Sequence, residues 1–198
     1  MKYSCWFIVL LAAAAALSQS APLIQPLGPR DSAEAQIREL YEKVVVRHPY
    51  GLLDDNNQRD FSPYLSSALL HKLELARACS QDWFRQNPRN DVKAPFAWSS
   101  FGIFSGRDER DSPGSFSIEK AHVEKEGGFR FVVKLMYMPS DGPGTWHVAV
   151  IGAQEHGHFV VDDVIYLKDE PGDVERRLSR ILSQGCNGPH WVGTGHPR

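Results

Sequence analysis

The sequence predicts an α+β domain in which N-terminal helices pack on a curved antiparallel sheet of four to five strands, a meander, with one further helix at the C-terminal end. Three observations predict it. Apolar residues recur at helical spacing as far as Trp83, and from Pro95 to Leu167 the period changes to two, with β-branched and aromatic residues frequent. The connections between those strands are too short for parallel crossovers, which need a dozen or more residues.

The chain opens with Lys2, an apolar run from Cys5 to Leu17 and then Ser18-Gln19-Ser20-Ala21. A basic start, a run too short to span a bilayer comfortably and small residues before Ala21 predict a cleavable signal peptide over residues 1–20. The expected location is secreted or periplasmic. Cys5 lies before the hydrophobic run rather than after it, so it is not placed for lipoprotein acylation. Residues 21–30, rich in proline, read as a linker. A single domain is expected over 31–186, followed by a flexible tail over 187–198.

Within the domain, Asp31 and Glu34 resemble a capping box, and Ile37, Leu40, Tyr41, Val44 and Val45 then define the apolar face of a helix ending before Pro49. Leu53 to Asp60 is polar and reads as a loop. Ser62-Pro63 opens a second helical region, where Leu69, Leu73, Ala76, Cys79 and Trp83 form a stripe. The strand windows are Phe96–Phe104, Ser115–Lys125, Phe129–Met138, Thr145–Gln154 and His158–Leu167. Phe129, Phe131, Val133, Leu135 and Tyr137 share one face of the third, with Arg130 and Lys134 on the other. Pro171 at the start, Val174, Leu178, Ile181 and Leu182 along one side and Gly185 just past the end describe a closing helix.

Composition narrows the function classes. Lys and Arg number 22 against 24 Asp and Glu, for a formal net charge of −2, so no field draws in nucleic acid or anionic lipid. No apolar run after residue 20 approaches the roughly 20 residues of a transmembrane helix, so no membrane association is expected after cleavage. Two cysteines follow the signal segment, Cys79 and Cys186. Export to an oxidising compartment suits a disulfide between them, and two buried thiols are the alternative. A homodimer stays open.

A family resemblance covers roughly residues 60–168. Phe61-Ser62-Pro63-Tyr64-Leu65-Ser66 before an apolar helix, then Pro95-Phe96, then Val160-Val161-Asp162-Asp163-Val164-Ile165-Tyr166 resemble an exported bacterial family classed as a domain of unknown function, of the DUF3828 type. The resemblance implies a nuclear-transport-factor-2-like, or cystatin-like, cone whose bent sheet wraps helices around a pocket. That shape hosts isomerases, dehydratases and pure binding proteins alike. After Phe96 this chain has Ala97-Trp98-Ser99-Ser100 where the family has a more acidic or amide-containing segment, so no ligand contact is carried over there.

A two-residue turn at His156-Gly157 pairs Val150 with Asp163, Ile151 with Asp162 and His147 with Tyr166. Asp163 then shares a face with Trp146, Val148, Val150, Phe159, Val161 and Ile165, where burial would raise its pKa and suit it to general-base work. A structural carboxylate bonded to backbone amides or to an arginine is the alternative. His147, Asp162 and Tyr166 form the rival group on the opposite face, and a one-residue slip exchanges the two. Trp98, Phe101, Phe104, Tyr137 and Trp146 are candidates for an aromatic clamp, and equally for ordinary core.

His156 and His158, with His190 and His196, lack the Cys or carboxylate pattern of a metal site. Asp54-x-Asn56-x-Gln58-x-Asp60 fails as a calcium loop, because Arg59 and Leu65 stand where Gly and Glu are needed. No phosphate loop, nucleophile elbow or Cys-x-x-Cys occurs, so no metal and no cofactor is expected. The leading expectation is an exported noncatalytic domain binding a small ligand or a protein partner in the sheet concavity, at Trp98, Trp146, Phe101, Tyr137 and Tyr166. The alternative is a small acid–base enzyme of isomerase, dehydratase or hydrolase type. It would use Asp163, or His147 with Asp162, on a substrate held by Trp98 and Trp146.

Overall fold

The computed structural model describes residues 28–89, 94, 101–108, 111–123, 128–137, 144–167 and 176–193. The expected signal peptide, most of the linker and Trp98 lie outside them. The architecture is α+β: helices and an open antiparallel sheet of five strands in the order β1-β2-β3-β4-β5. Among the described residues no helix is long and apolar enough to cross a membrane.

Helix α1 (Pro29–Arg47) starts two residues before the expected capping box. Pro29 at N1 presets the helical φ, Gly28 caps without a side-chain bond, and Glu34 pairs instead with Arg38 at 3.0 Å. Ile37, Leu40, Tyr41 and Val44 are buried as their spacing predicts, and Val45 is half-buried. His48, in the left-handed region at φ 45°, ends the helix immediately before Pro49.

The polar stretch expected as a loop is largely helix α2 (Asp55–Phe61), nucleated by the Asp54 carboxylate, which accepts from Asn57 N at 2.7 Å. A side-chain cap satisfies an orphan N–H and so starts a helix with few apolar residues. After a single 3-10 turn at Ser62–Tyr64, helix α3 (Ser67–Gln86) buries the predicted stripe of Leu69, Leu73, Ala76, Cys79 and Trp83. Each large apolar member of that stripe contributes about 1.5–3 kcal/mol by leaving water.

The sheet comprises β1 (Ser115–Val123), β2 (Phe129–Tyr137), β3 (Gly144–Glu155), β4 (His158–Tyr166) and the two-residue β5 (Arg176–Arg177). Four of the predicted strand windows are present and pair as consecutive neighbours. The first, Phe96–Phe104, is not a strand where it is described: Phe101 bridges Asp108 across a tight turn at Ile103–Ser105. Its glycines, Gly102 and Gly106, serve that turn. The expected start of the closing helix, at Pro171 and Val174, lies outside the described residues. Residues 168–175 lie outside the described set, Arg176–Arg177 pair with β4, and α4 spans only Leu178–Leu182.

The expected irregular tail begins with order. Cys186–Asn187 (β6) pair with His190–Trp191 (β7) in a small hairpin, and Cys79 is disulfide-bonded to Cys186 with the Cα atoms 6.0 Å apart. Trp191 N donates to the Asp82 carboxylate at 2.9 Å and Val192 N to Gly185 O at 2.9 Å, so the hairpin is bound to α3 by both covalent and polar links.

One hydrophobic core joins α1, α3 and α4 to the Phe129, Phe131, Val133 and Leu135 face of β2 and to the matching faces of β3 and β4. At Gly152 a side chain would run into the Phe159 ring, which crosses that point to meet Phe131 edge-on at 5.7 Å.

Candidate functional site

The helix-facing side of the sheet, where sequence predicts a ligand-binding hollow, is occupied by the chain's own 101–108 loop. Three aromatic side chains each donate one hydrogen bond to three consecutive carbonyls. Tyr166 Oη donates to Ile103 O at 2.8 Å, Tyr41 Oη to Phe104 O at 3.0 Å, and Trp146 Nε1 to Ser105 O at 2.6 Å. Backbone carbonyls carried into an apolar interior need such partners, since each left unpaired costs about 1–3 kcal/mol.

Apolar contacts complete the seat. Phe101 meets Tyr166 edge-on at 5.1 Å, Phe104 lies 5.0 Å from Phe61, and Arg107 places its guanidinium over Trp146 at 5.6 Å. Gly106, at φ +75°, turns the loop directly against the Tyr166 ring, where a Cβ would collide. Burial raises the pKa of both Tyr41 and Tyr166, so both phenols remain donors across the physiological range.

Of the five candidate ligand contacts, Phe101, Trp146 and Tyr166 are therefore buried around this loop. Tyr137 is half-buried and packs edge-on against Trp146 at 5.7 Å. Trp98 lies outside the described residues. Sequence reasoning singled out the aromatic rings; it did not find Tyr41, or that the bound group is the chain's own backbone. The signal for the loop was the Gly102 and Gly106 pair flanking Ile103-Phe104-Ser105.

The acid–base candidates separate. The His156-Gly157 turn has φ of 52° and 81°, the two positive values of a tight hairpin turn, and the pairing runs as predicted from Glu155↔His158 to Gly152↔Val161. A β-bulge follows. Asp162 is the extra residue, so Ile151 pairs with Asp163, Val150 with Val164 and Val148 with Tyr166. Asp163 consequently leaves the face of Trp146, Val148 and Val150, and Val164 takes the place predicted for it. Ile165 moves with Asp163 to the opposite face, where it is also fully buried.

There the Asp163 carboxylate is committed. Oδ1 accepts from Val164 N at 2.9 Å and Ser179 N at 3.0 Å, Oδ2 accepts from Ser179 Oγ at 2.7 Å, and Arg177 stands 3.9 Å away. It tethers the first turn of α4 to β4. Asp162 accepts from Ser66 Oγ at 2.7 Å while that same oxygen accepts from Leu69 N at 3.0 Å, which caps α3. Glu155 adds to the same helix start by accepting from Ser67 N at 3.1 Å and Ser67 Oγ at 2.9 Å. His147 lies toward the other end of β3, 3.5 Å from Glu119 of β1. Four residues along the strand, roughly 13 Å, divide His147 from Ile151 beside the bulge, so His147 and Asp162 do not meet.

An open groove lies elsewhere among the described residues. A groove of about 450 Å³ runs between the 50–55 segment and α3, lined in part by Tyr50, Leu53, Asp54, Asp55, Arg77 and Gln81. Arg77 holds its wall in place. Nε donates to Leu52 O at 2.9 Å, and the two terminal nitrogens donate to Gln58 Oε1 and Leu53 O. Leu53 sits at φ 56°, a region costly for a residue with a branched side chain, and His48 at φ 45°. His48 also carries a buried Nδ1 without a hydrogen-bond partner. Among the described residues no three His, Cys, Asp or Glu side chains are grouped to hold a metal ion. Comparison with protein-family models, curated proteins and solved structures finds no match to this chain.

Proposed function

We propose that this protein is an exported, noncatalytic binding domain that receives a small ligand or a short protein segment in the groove between the 50–55 segment and α3. One observation carries the reading: a backbone of unfavourable geometry, at Leu53, is held by the Arg77 guanidinium in the wall of an open groove. Strained residues persist only where the surroundings over-determine them, and they concentrate at ligand-binding positions.

Export is supported by the start of the sequence and by the Cys79–Cys186 bridge, a bond that persists in oxidising compartments. A noncatalytic role is supported by Asp162 and Asp163, whose carboxylates are spent on helix starts, and by the separation of His147 from both. The nuclear-transport-factor-2-like cone closed by a C-terminal helix, with its family of exported domains, remains our preferred fold assignment. It is supported by consecutive antiparallel strands packed on α1 and α3. Within that shape the usual interior pocket is taken by residues 101–108, which moves the reading from the concavity to the groove.

Chemical-shift mapping of the isotope-labelled chain against a panel of small molecules and short peptides tests the proposal. Binders are expected to perturb Leu52–Asp55 and Arg77 and to leave Ile103–Ser105 unmoved. Perturbations centred on Trp146 and Tyr166 would return the site to the concavity and overturn the proposal.

A further inference from the structure

Strand β1 forms one edge of the sheet, and among the described residues it pairs only with β2. Its outer N–H and C=O groups are a template for another strand. The side chains along it carry a pattern that names that strand.

Pairing with β2 sorts the residues by face, because partners across a ladder point the same way. Phe116 pairs with Leu135, Ile118 with Val133, Ala121 with Phe131 and Val123 with Phe129, so these four lie on the core side. Lys120 pairs with Val132 and His122 with Arg130, on the outer side. Glu119 is the extra residue of a β-bulge between Ile118 and Lys120, and it points outward too, toward His147 at 3.5 Å. Glu119 and Lys120 are thus consecutive residues on one face, which an unbroken strand does not allow.

We infer that β1 pairs with β1 of a second copy of this chain, antiparallel, about a two-fold axis normal to the sheet and passing between Glu119 and Lys120. In an unbulged strand such an axis must fall on a single residue, setting Glu119 against Glu119 or Lys120 against Lys120. The bulge moves it between two opposite charges. Glu119 then faces Lys120 of the second copy, and the reverse pair forms by symmetry. In the same register Ile118 faces Ala121 and Phe116 faces Val123 across the axis, apolar to apolar on the core side. Val123 is 70 % exposed in the single chain, and this pairing covers it. The contact of Glu119 with His147 persists, since a carboxylate accepts at both oxygens.

Sedimentation velocity over a wide concentration range, on the chain purified as its host exports it, is the test. The wild type is expected to pass from monomer to dimer as concentration rises. E119K and K120E each create two like-charge pairs and are expected to raise the dissociation constant about tenfold or more. An equimolar mixture of the two variants sets the adjacent lysines of the E119K chain against the adjacent glutamates of the K120E chain. It is expected to dimerise about as tightly as wild type, which neither variant does alone, and this separates pairing from misfolding. A wild type that stays monomeric throughout, variants that dimerise as tightly as wild type, or a mixture no tighter than its components would each overturn the inference.

Discussion

The Tyr166 hydroxyl donates to the carbonyl oxygen of Ile103 at 2.8 Å, across a sequence separation of 63 residues. With the bonds from Tyr41 and Trp146 it turns an apolar sheet face into a polar seat for one loop. Y166F keeps the ring and removes the donor, which leaves a buried carbonyl unpaired. The expected cost is about 1–3 kcal/mol, read as a lower urea midpoint with an unchanged slope. Stability within about 0.5 kcal/mol of wild type would mean the bond does not hold the loop.

Alkaline pH tests the same seat from the proton side. Burial is the leading cause that raises the pKa of Tyr41 and Tyr166 in the folded chain, while an unfolded tyrosine titrates near about 10. A group whose folded pKa is raised contributes stability that is complete below the unfolded value and is lost as pH climbs toward the folded one. Stability should therefore fall above about pH 10. The tyrosinate absorbance of these two residues should appear together with loss of the near-ultraviolet dichroism, whereas stepwise ionisation in an intact fold would contradict the burial.

Acid acts on the C-terminal hairpin. The Trp191 amide, followed by the Arg85 and Gln86 side chains and His190, holds the Asp82 carboxyl below the usual carboxylate range. A lowered folded pKa gives stability that is present above the unfolded value, about 3.9, and is lost as pH falls below it. The protection of the Trp191 amide from hydrogen exchange, taken relative to the unfolded-chain rate at each pH, should fall in that window, and D82N should show the reduced protection at every pH. Exchange in D82N that matches wild type at neutral pH would show that the carboxylate does not hold the hairpin.

Much of this fold was legible in the sequence, and the failures have physical causes. The α3 stripe and the alternation of β2 were readable because burial alone decides those residues. The α2 helix was hidden because one cap at Asp54, rather than an apolar period, nucleates it. Over its described part, 101–104, the expected strand is absent because Phe101, Ile103 and Phe104 are apolar for a different reason: they enter the core on a loop whose carbonyls are bonded by distant side chains. The Asp162 bulge was the decisive miss. A turn fixes register only as far as the ladder runs without insertion, and a single extra residue carried Asp163 from the apolar face to the start of α4. Tyr41 could not be implicated from sequence at all, since its partner is a backbone atom far along the chain.

The Cys79–Cys186 bridge is the simplest element to remove. It closes a sequence separation of 107 residues, and its loss in C79S/C186S is expected to cost about 2–5 kcal/mol. The loss should be read as a lower thermal midpoint, with the hairpin amides losing protection first. A melting curve matching wild type would show that the polar links to α3 suffice.

That bridge encloses every strand from β1 to β5, together with α4, within one covalent ring. A protease that cuts once in any turn between those two cysteines therefore linearises the ring without releasing a fragment. The severed ends stay tethered near their partners, and reassembly becomes an encounter within one molecule rather than a meeting of two.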